Sequence, residues 1–374
     1  SVKYLGCQAG IVLTASHNPP EYNGYKVYWT DGGQIVPPED GEIIHEINRI
    51  GFKDILFKAR PELIIEVPES VDQAFIDQGC AQANFNAPNK VSLKFVCSPL
   101  HGTSITAIPA VLEKAGYTQV HIVQEQATPD GDFPTVASPN PEEPEAMEMA
   151  LKKADLIKAD IVIGTDPDSD RLGVAVRDHQ NNFCLLNGNQ TMMVMTYFLL
   201  EQRKKKNQLN GKKFIASTIV STPMMKKMAQ AYGVQYKETL TGFKWIGKLI
   251  KDFPDLEFIG GGEESFGYLV GDSVRDKDAV TATLLACEIG TYAKANGKSF
   301  YELLEECFIK FGAYKEKLIS FTQKGIEGAE KIKTMMTQYR NDPPKEIAGI
   351  SVVQSEDYLS SKRTFHLENR FEKI

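Results

Sequence analysis

Short apolar runs alternate with amphipathic segments along most of this 374-residue chain. In a first series, the runs predict four strands, and apolar residues at helical spacing predict two helices between them. These are strands at Lys94–Cys97, Val120–Val123, Ile161–Gly164 and Leu172–Val176, with helices at Thr106–Ala115 and Glu142–Leu156. A second series predicts helices near Thr191–Gln202, from Pro223, at Phe243–Lys251 and from Ala279, with strands at Phe214–Thr218, near Val234–Lys237 and at Leu256–Gly260. Strands and helices that alternate at this pace favour parallel α/β units with right-handed crossovers.

The order of these elements divides the chain into four parts. We predict boundaries near Val71, Asn187 and Phe311, which give segments 1–70, 71–186, 187–310 and 311–374. The apolar run Ala9–Thr14 predicts a buried strand with little sequence before it to pair with, and Thr364–Ile374 predicts a strand with no partner after it. From these two observations we expect a fragment of a longer protein, truncated at both ends.

Composition narrows the class of protein. Acidic residues outnumber basic ones by 49 to 42, and a formal net charge of −7 is not the basic balance of a nucleic-acid or anionic-membrane binder. The apolar stretches Met192–Met195 and Tyr197–Leu200 are too short to span a bilayer. The six cysteines are scattered without a C-x-x-C pair, which indicates reduced thiols rather than a disulfide framework or a zinc site. We therefore expect a cytoplasmic protein without a nucleic-acid or membrane partner.

The first candidate motif is T-A-S-H-N-P-P at 14–20, directly after the first apolar run. Ligands of parallel α/β folds bind at the carboxyl ends of strands, so Ser16 is placed where a reacting hydroxyl is useful. Serine needs a neighbour that takes its proton or a cation that stabilises what it carries, and His17 and Lys26 offer both. A plain strand-end turn is the alternative, because Ser, Asn and Pro are common turn residues.

The second motif is G-T-D-P-D-S-D-R at 164–171, again after an apolar strand. Its alternate carboxylates, Asp166, Asp168 and Asp170, can converge on one hard cation such as Mg²⁺. A helix–loop–helix calcium loop is excluded because its glycine position holds Arg171 and its twelfth position holds Arg177. Two interpretations stay open: a solvated acidic turn, and an aspartyl-phosphatase loop with Asp166 as nucleophile and Asp168 as acid.

The third motif is G-G-G-E-E-S-F-G at 260–267, followed by R-D-K-D at 275–278. Clustered glycines allow a ligand to approach the backbone, and Glu and Ser side chains can bind vicinal hydroxyls. Lys244 can offer a charge to a phosphate, whereas Thr241-Gly242 before it equally predicts a helix N-cap. Ser98–Thr103 predicts a helix start without chemistry.

Taken in this order, the three loops resemble those of the α-D-phosphohexomutase superfamily, which includes phosphoglucomutases, phosphomannomutases and phosphopentomutases. The resemblance runs from Gly10 to about Tyr358 and includes T-L-T-G-F-K-W-I-G at 239–247. It implies successive three-layer α/β domains with mixed, mostly parallel sheets around a central cleft. Segments 1–70, 71–186 and 187–310 would then carry the phosphoserine, metal and sugar-binding loops of domains I to III, and 311–374 would be a linker and an incomplete domain IV.

The same resemblance implies a role for each matching residue. Ser16 would be the phosphoserine, and its phosphate would complete the coordination of one Mg²⁺ by the three aspartates. Arg171 would lie beside that phosphate, and His17 or Lys26 would transfer protons or balance charge. The residues implied to bind substrate are Thr241, Gly242, Lys244, Glu263, Ser265 and Arg275.

The implied reaction interconverts hexose 1-phosphate and hexose 6-phosphate, with glucose favoured by the Glu-Glu-Ser loop, through a sugar 1,6-bisphosphate. A pentose or mannose substrate is the alternative, as is an aspartyl-type phosphatase. A further alternative is an inactive fragment that only binds Mg²⁺ and sugar phosphate, because the Arg-Ser-Gly-Thr phosphate loop of the family's domain IV has no match in 311–374. The expected oligomeric state is a monomer or homodimer.

Overall fold

The computed structural model describes residues 1–317, 319, 323, 325–368 and 370–373, and it divides into two compact units, Ser1–Tyr314 and Lys315–Ile374. Four short 3₁₀ helices, at Phe52–Asp54, Pro61–Leu63, Lys90–Ser92 and Gln124–Gln126, lie in connections of the first unit. Among the described residues, no helix is both long and apolar enough to cross a membrane.

The first unit opens with a two-stranded hairpin. Its elements are α1 (Val2–Leu5), β1 (Ala9–Leu13), β2 (Tyr25–Trp29) and α2 (Glu39–Arg49). β1 pairs antiparallel with β2, from Ala9 opposite Trp29 to Leu13 opposite Tyr25. The prediction that this strand is buried is wrong for the described residues: Leu13 is 67% exposed, because only β2 pairs with its strand. The hairpin leaves residues 14–24 as the loop between its strands.

The next segment forms a five-stranded sheet. Its elements are α3 (Glu69–Ala83), β3 (Phe95–Ser98), α4 (Ser104–Ala115), β4 (Val120–Ile122), α5 (Pro144–Ile157), β5 (Ile161–Thr165), β6 (Leu172–Arg177) and β7 (Phe183–Leu186). The strand order is β4-β3-β5-β6-β7, with β3 parallel to β4 and β5. β6 and β7 are antiparallel, so parallel crossovers describe only half of this sheet. The apolar run of β6 predicts a buried strand but carries no information on its direction.

The third segment forms a four-stranded sheet. Its elements are α6 (Gly188–Lys205), β8 (Lys213–Thr218), α7 (Met224–Tyr232), β9 (Gln235–Thr239), α8 (Lys244–Asp252), β10 (Glu257–Gly262), β11 (Tyr268–Val270), α9 (Ala279–Ala295) and α10 (Phe300–Phe311). The order is β11-β10-β8-β9, and only β11 is antiparallel to its neighbour. Together the two sheets confirm the predicted α/β class with mixed sheets.

Two buried helices join these sheets into one core. Apolar residues line nearly every side of α6 and α9, and both helices belong to the hydrophobic cluster that also holds residues of β3, β5, β8 and β10. A helix that is apolar all round is stable only when it is buried in this way. The N-cap of α9 is Asp278, whose carboxylate accepts hydrogen bonds from the amides of Val280 and Thr281. Its first amide, that of Ala279, donates to the carbonyl of Ser169 at 3.0 Å, so the helix starts against the aspartate loop.

The second unit is small. It contains α11 (Gly325–Asn341), β12 (Glu346–Ile347), β13 (Ile350–Ser351), β14 (Gln354–Asp357), β15 (Lys362–Phe365) and β16 (Arg370–Lys373). β14, β15 and β16 form an antiparallel sheet. The single strand predicted over Thr364–Ile374 is therefore wrong within the described residues, because a turn after Phe365 splits it into two paired strands. Asn369 and Ile374 of that prediction lie outside the described residues.

Candidate active site

The loop between β1 and β2 holds Ser16 in a strained, well-supported turn. Ser16 has a φ of 54°, in the left-handed region, and its amide donates to Thr14 Oγ1 at 2.8 Å. The amide of Thr14 donates to the carbonyl of Gly24 at 3.2 Å, which closes the loop. Only glycine fits at position 24, because a Cβ there would lie 2.1 Å from the Thr14 carbonyl oxygen. The hairpin thus presents the serine hydroxyl at a fixed place.

The aspartate loop follows β5 and folds around the carboxylate of Asp166. That side chain is fully buried, and its Oδ1 accepts hydrogen bonds from the amides of Asp170 at 3.0 Å and Arg171 at 2.9 Å. Ser169, with a φ of 59°, makes the turn that returns the chain to its own first carboxylate. The loop geometry therefore depends on Asp166 as an acceptor of backbone hydrogen bonds.

The two loops meet although 150 residues separate Ser16 from Asp166. Ser16 Oγ donates to Asp166 Oδ2 at 2.8 Å, and Thr14 Oγ1 donates to Asp168 Oδ2 at 3.2 Å. The hydroxyl that the sequence singles out thus lies directly on the acidic loop.

The three carboxylates suit a hard divalent cation. One oxygen from each of Asp166, Asp168 and Asp170 lies within 4.8 Å of the others. Oδ1 of Asp168 and Oδ1 of Asp170 are buried and have no hydrogen-bond partner among the residues that the structure describes. Buried polar atoms are rarely left unpaired, and carboxylate oxygens are the ligands that Mg²⁺ prefers. The orphaned oxygens therefore fit an ion at this place.

The carboxylates also perturb one another. Burial, followed by the charges of Asp170 and Asp168, raises the pKa of Asp166 well above its usual range. At Asp168 burial acts in the same direction, but the Lys26 ammonium and hydrogen bonds to the carboxylate outweigh it and lower the pKa. The pKa values of Asp166 and Asp168 are thus shifted in opposite directions.

Two lysines balance part of this negative charge. Lys26 Nζ lies 3.0 Å from Asp168 Oδ2 and 3.0 Å from Asp170 Oδ2, and Lys277 Nζ lies 2.8 Å from Asp170 Oδ2. Burial disfavours the Lys26 ammonium, but the carboxylates of Asp170 and Asp168 and the hydrogen bond to Asp170 together outweigh burial and raise the pKa of that lysine. The pKa of Lys277 is raised as well: burial again disfavours the ammonium, and the carboxylates of Asp276 and Asp170 outweigh it. Both side chains are therefore charged at neutral pH.

His17 and Arg171 have different partners at this site. His17 Nδ1 lies 3.2 Å from Ser16 Oγ, and burial, helped by the charge of Arg171, lowers the pKa of His17 to about 4. The imidazole is therefore neutral at neutral pH. The guanidinium of Arg171 forms an ion pair with Glu142. The Arg171 backbone makes a bridge with Gly267 of the third loop.

The third loop lies beside the second. The amide of Leu172 donates to the carbonyl of Phe266 at 2.9 Å, and Glu263 Oε1 accepts from the amide of Gly242 at 3.0 Å. Burial raises the pKa of Glu263, which is 5% exposed. Ser265 on the same loop is half-buried.

Among the described residues, the other predicted substrate residues form no hydrogen bond or ion pair with the three aspartates. Thr241 is exposed. Lys244 Nζ lies 3.7 Å from Asp40 Oδ2, and Arg275 Nη1 lies 2.9 Å from Asp31 Oδ2. Lys244 and Arg275 thus make their ion pairs with the hairpin segment of the chain rather than with the aspartate cluster.

The structure gathers most of the predicted site into one place. The cluster around the aspartate loop contains Ser16, His17, Lys26, Arg171, Asp166, Asp168 and Asp170. Gly242, Glu263 and Ser265 lie on the adjoining loops.

Sequence reasoning missed three contributors. Lys277 lies in the R-D-K-D stretch that follows the third loop, where a lysine between two aspartates was an available signal. Glu142, the partner of Arg171, is predicted only as the start of a helix. Thr14 bonds both Ser16 and Asp168, yet in the sequence it is only the first residue of the loop.

Comparison with known proteins identifies the family. The phosphoglucomutase/phosphomannomutase alpha/beta/alpha domains I, II and III match residues 1–54, 73–180 and 187–311. A phosphoglucomutase of Staphylococcus epidermidis is 37% identical in an alignment 370 residues long, which covers 97% of this chain and 67% of that protein. A probable phosphomannomutase of Haemophilus influenzae is 37% identical in an alignment 378 residues long, gaps included, which covers 99% of this chain and 74% of that protein.

A solved structure has the same fold. A putative phosphomannomutase from Thermus thermophilus superposes with a TM-score of 0.67 at 24% identity, covering 87% of this chain and 69% of that one. The chain thus spans about two thirds of these relatives. Three family domains in order, relatives at 37% identity and the serine on the aspartate loop lead to one conclusion: the chain belongs to the phosphoglucomutase/phosphomannomutase family of the α-D-phosphohexomutase superfamily, a family of mutase-type isomerases.

Proposed function

We propose that this chain interconverts hexose 1-phosphate and hexose 6-phosphate through a phosphoserine at Ser16 and a sugar 1,6-bisphosphate. The observation that carries the proposal is the 2.8 Å contact between Ser16 Oγ and Asp166 Oδ2. It puts the serine hydroxyl of the first motif at the edge of a site for a divalent cation, which suits transfer of a phosphoryl group to and from serine.

Protein groups assist phosphoryl transfer mainly by holding the reacting oxygens in line and by neutralising charge. Asp166, Asp168 and Asp170 would hold one Mg²⁺, which supplies Lewis-acid stabilisation of phosphoryl oxygens when it is bound. Lys26 adds a fixed positive charge at the same edge, since its ammonium lies 3.0 Å from two of the carboxylates. Arg171 adds a second, because its amide binds the same Asp166 carboxylate that accepts a hydrogen bond from Ser16.

The hydroxyl proton of Ser16 must leave when the serine takes a phosphoryl group. In this structure the hydroxyl donates to Asp166 Oδ2 at 2.8 Å, and His17 Nδ1 lies 3.2 Å from the same serine oxygen. Lys26 already donates to two carboxylates, which favours charge balance over proton transfer. We therefore assign charge balance to Lys26, and proton transfer at Ser16 to Asp166 or His17.

Sugar binding falls to the third loop. Glu263 and Ser265 lie on a loop tied to the aspartate loop by the hydrogen bond between Leu172 and Phe266, so a bound hexose would sit within reach of Ser16. The Gly242 amide donates a hydrogen bond to the Glu263 carboxylate and holds it in place. Thr241 and Lys244 lie next to Gly242 in the sequence, and we assign them to the same substrate site. Glucose is the favoured sugar, and mannose or pentose phosphates are the alternatives.

We further propose a cytoplasmic protein that is a monomer or a homodimer.

The geometry argues against the aspartyl-phosphatase alternative. A carboxylate nucleophile needs an oxygen open to the substrate, whereas Asp166 is fully buried and both of its oxygens accept hydrogen bonds from Ser16, Asp170 or Arg171. Ser16 is half-buried and lies at a loop tip. The serine therefore suits the nucleophile's role better.

The test is direct phosphorylation. The chain is incubated with glucose 1,6-bisphosphate and Mg²⁺, and intact-mass and peptide mass spectrometry then locate the phosphate. We expect one phosphate on Ser16, none on Ser16→Ala, and its discharge by glucose 6-phosphate faster than by mannose 6-phosphate or ribose 5-phosphate. Phosphate on an aspartate would support the phosphatase instead. Binding of the sugar phosphate with no phosphate on the protein would support the binding-only alternative.

A further inference from the structure

The backbone of Arg171 is fixed on both sides. Its amide donates to Asp166 Oδ1 at 2.9 Å, and it makes a strand-like bridge with Gly267 of the sugar loop. The side chain therefore starts from a defined point between the two loops. A long arginine side chain still has several rotatable bonds, so a fixed backbone does not by itself fix the guanidinium.

Glu142 supplies the missing restraint. Its Oε1 accepts a hydrogen bond from Arg171 Nη1, and only 18% of the Arg171 side chain and 19% of the Glu142 side chain are exposed. A charge pair that is largely shielded from water is stronger and better ordered than one on the surface. The pair therefore holds one end of the guanidinium in place.

The segment that carries Glu142 is itself rigid. Pro141 is buried against β5 and β6 at Gly164 and Gly173. A Cβ at Gly173 would lie 2.8 Å from the Pro141 carbonyl oxygen. The amide of Glu142 donates to Asn140 Oδ1 at 3.1 Å, immediately before α5 begins. Glycine at 173 thus lets this loop lie flat on the sheet, and the loop delivers Glu142 to Arg171.

One donor of the guanidinium stays available. Arg171 Nε is buried and has no hydrogen-bond partner among the residues that the structure describes. A buried N–H is costly when unpaired, and the planar guanidinium binds phosphate oxygens well. The Arg171 amide and the Ser16 hydroxyl bind the two oxygens of one carboxylate, that of Asp166, so a phosphoryl group on the serine is the acceptor this donor fits.

We infer that Glu142 is a positioning residue: it holds Arg171 with its Nε–H free to bind the phosphoryl group carried by Ser16. The inference rests on the proposed function for the identity of that group, but the restraint of Arg171 by Glu142 does not.

The restraint is tested without any turnover. In chain containing isotope-labelled arginine, NMR spectroscopy follows the Nε–H signal of Arg171, assigned by its loss in Arg171→Lys. In the wild type we expect a sharp signal whose proton exchanges slowly with water. Glu142→Gln should broaden this signal or make the exchange with water about tenfold faster. Glu145→Gln, which changes an exposed carboxylate three residues on, should leave the signal unchanged. An unchanged signal in Glu142→Gln would overturn the inference.

The functional half is tested by single-turnover transfer. Phosphoserine is formed with glucose 1,6-bisphosphate and discharged with excess glucose 6-phosphate in the wild type, Glu142→Gln, Arg171→Ala, the double variant and Glu145→Gln. We expect Glu142→Gln to slow the transfer of the phosphoryl group from Ser16 to the sugar about tenfold, with sugar affinity and thermal midpoint little changed. In the double variant, Glu142→Gln should cause no slowing beyond that of Arg171→Ala alone. Multiplying effects in the double variant would contradict a role through Arg171. Absence of phosphoserine in the wild type would overturn the proposed function, and the NMR result would then decide the restraint alone.

Discussion

At the scale of single residues, the three aspartates do different work. Both oxygens of Asp166 accept hydrogen bonds within the protein, whereas Asp168 and Asp170 each have one buried oxygen without a partner in the described part of the chain. Asp170 also forms ion pairs with Lys26 and Lys277. Asp166 therefore shapes the loop, and the other two carboxylates have the oxygens that are most available to an ion.

Replacing Asp170 with Asn tests this division. The change removes a ligand oxygen and leaves Lys26 and Lys277 without a common counter-charge, so we expect the affinity for Mn²⁺ or Mg²⁺ to fall at least about tenfold. Isothermal titration calorimetry gives the affinity. Asp132→Asn, an exposed loop carboxylate, is the matched control and should bind as the wild type does. Equal affinity in Asp170→Asn would exclude this residue as a ligand.

At the scale of elements, α9 organises the first unit. It starts against the aspartate loop, is buried over most of its length, and carries Glu288 in its middle. The Glu288 carboxylate is fully buried and accepts hydrogen bonds from the amides of Phe85 and Ala87 and from the Tyr117 hydroxyl, each at 3.0 Å, with Lys90 Nζ at 2.6 Å. These contacts attach α9 to the segment between α3 and β3.

Removing that carboxylate should be costly. Glu288→Ala leaves two amides and a hydroxyl without this acceptor and removes the counter-charge of Lys90, whose ammonium keeps only its hydrogen bonds to Asn84 Oδ1 and the Ala115 carbonyl. We expect a loss of about 3–5 kcal/mol in the free energy of unfolding. Urea unfolding followed by circular dichroism measures it. Glu113→Ala, an exposed helical carboxylate, should change stability by no more than about 0.5 kcal/mol. A loss of similar size in both variants would show that the buried network does not stabilise the fold.

The contact between β8 and β10 gives a second test at this scale. A Cβ at Gly261 would lie 2.1 Å from the Ala216 carbonyl oxygen in the neighbouring strand, and backbone cannot move aside as a side chain does. We expect Gly261→Ala to destabilise the chain by about 3 kcal/mol, measured by the same urea titration. Gly211→Ala, where nothing lies within 4 Å, should be nearly neutral. A neutral Gly261→Ala would mean that the two strands can separate at little cost.

At the scale of the whole molecule, the site joins distant parts of the chain. The hairpin supplies Ser16 and Lys26, the first large sheet supplies the aspartates, and the loop before α9 supplies Lys277. An ion held by the aspartates next to Ser16 should therefore affect more than one segment at once.

Mg²⁺ should protect both loops together. Hydrogen exchange measured by mass spectrometry should slow in peptides covering 14–26 and 166–171 when Mg²⁺ is added, and the thermal midpoint should rise, because the ion binds only the folded chain. At a hundred times the dissociation constant the gain is about 2.7 kcal/mol. In Asp170→Asn, with an affinity about tenfold lower, the same Mg²⁺ concentration should give no more than about half of this gain. Slower exchange in only one loop would show that the ion does not connect them.

How much the sequence predicts depends on whether a feature is local. Ser16 and the aspartates can be found because strand-end loops of unusual composition are visible in a short window. The direction of β6 and the exposure of β1 cannot be found in this way. An apolar run shows neither which strand it will pair with nor which elements will pack over it. Lys277 and Glu142 escape because their partners lie far away in sequence, and only the folded chain brings Glu142 to Arg171.

The paired lysines have one more consequence. With Lys26 and Lys277 set against three carboxylates, most of the local charge is cancelled by the protein itself. Chelation should therefore leave a folded apoprotein that regains its metal on simple addition, unlike small zinc domains, which unfold when stripped. The two lysines thus supply the positive charge that a bound ion would bring to these carboxylates.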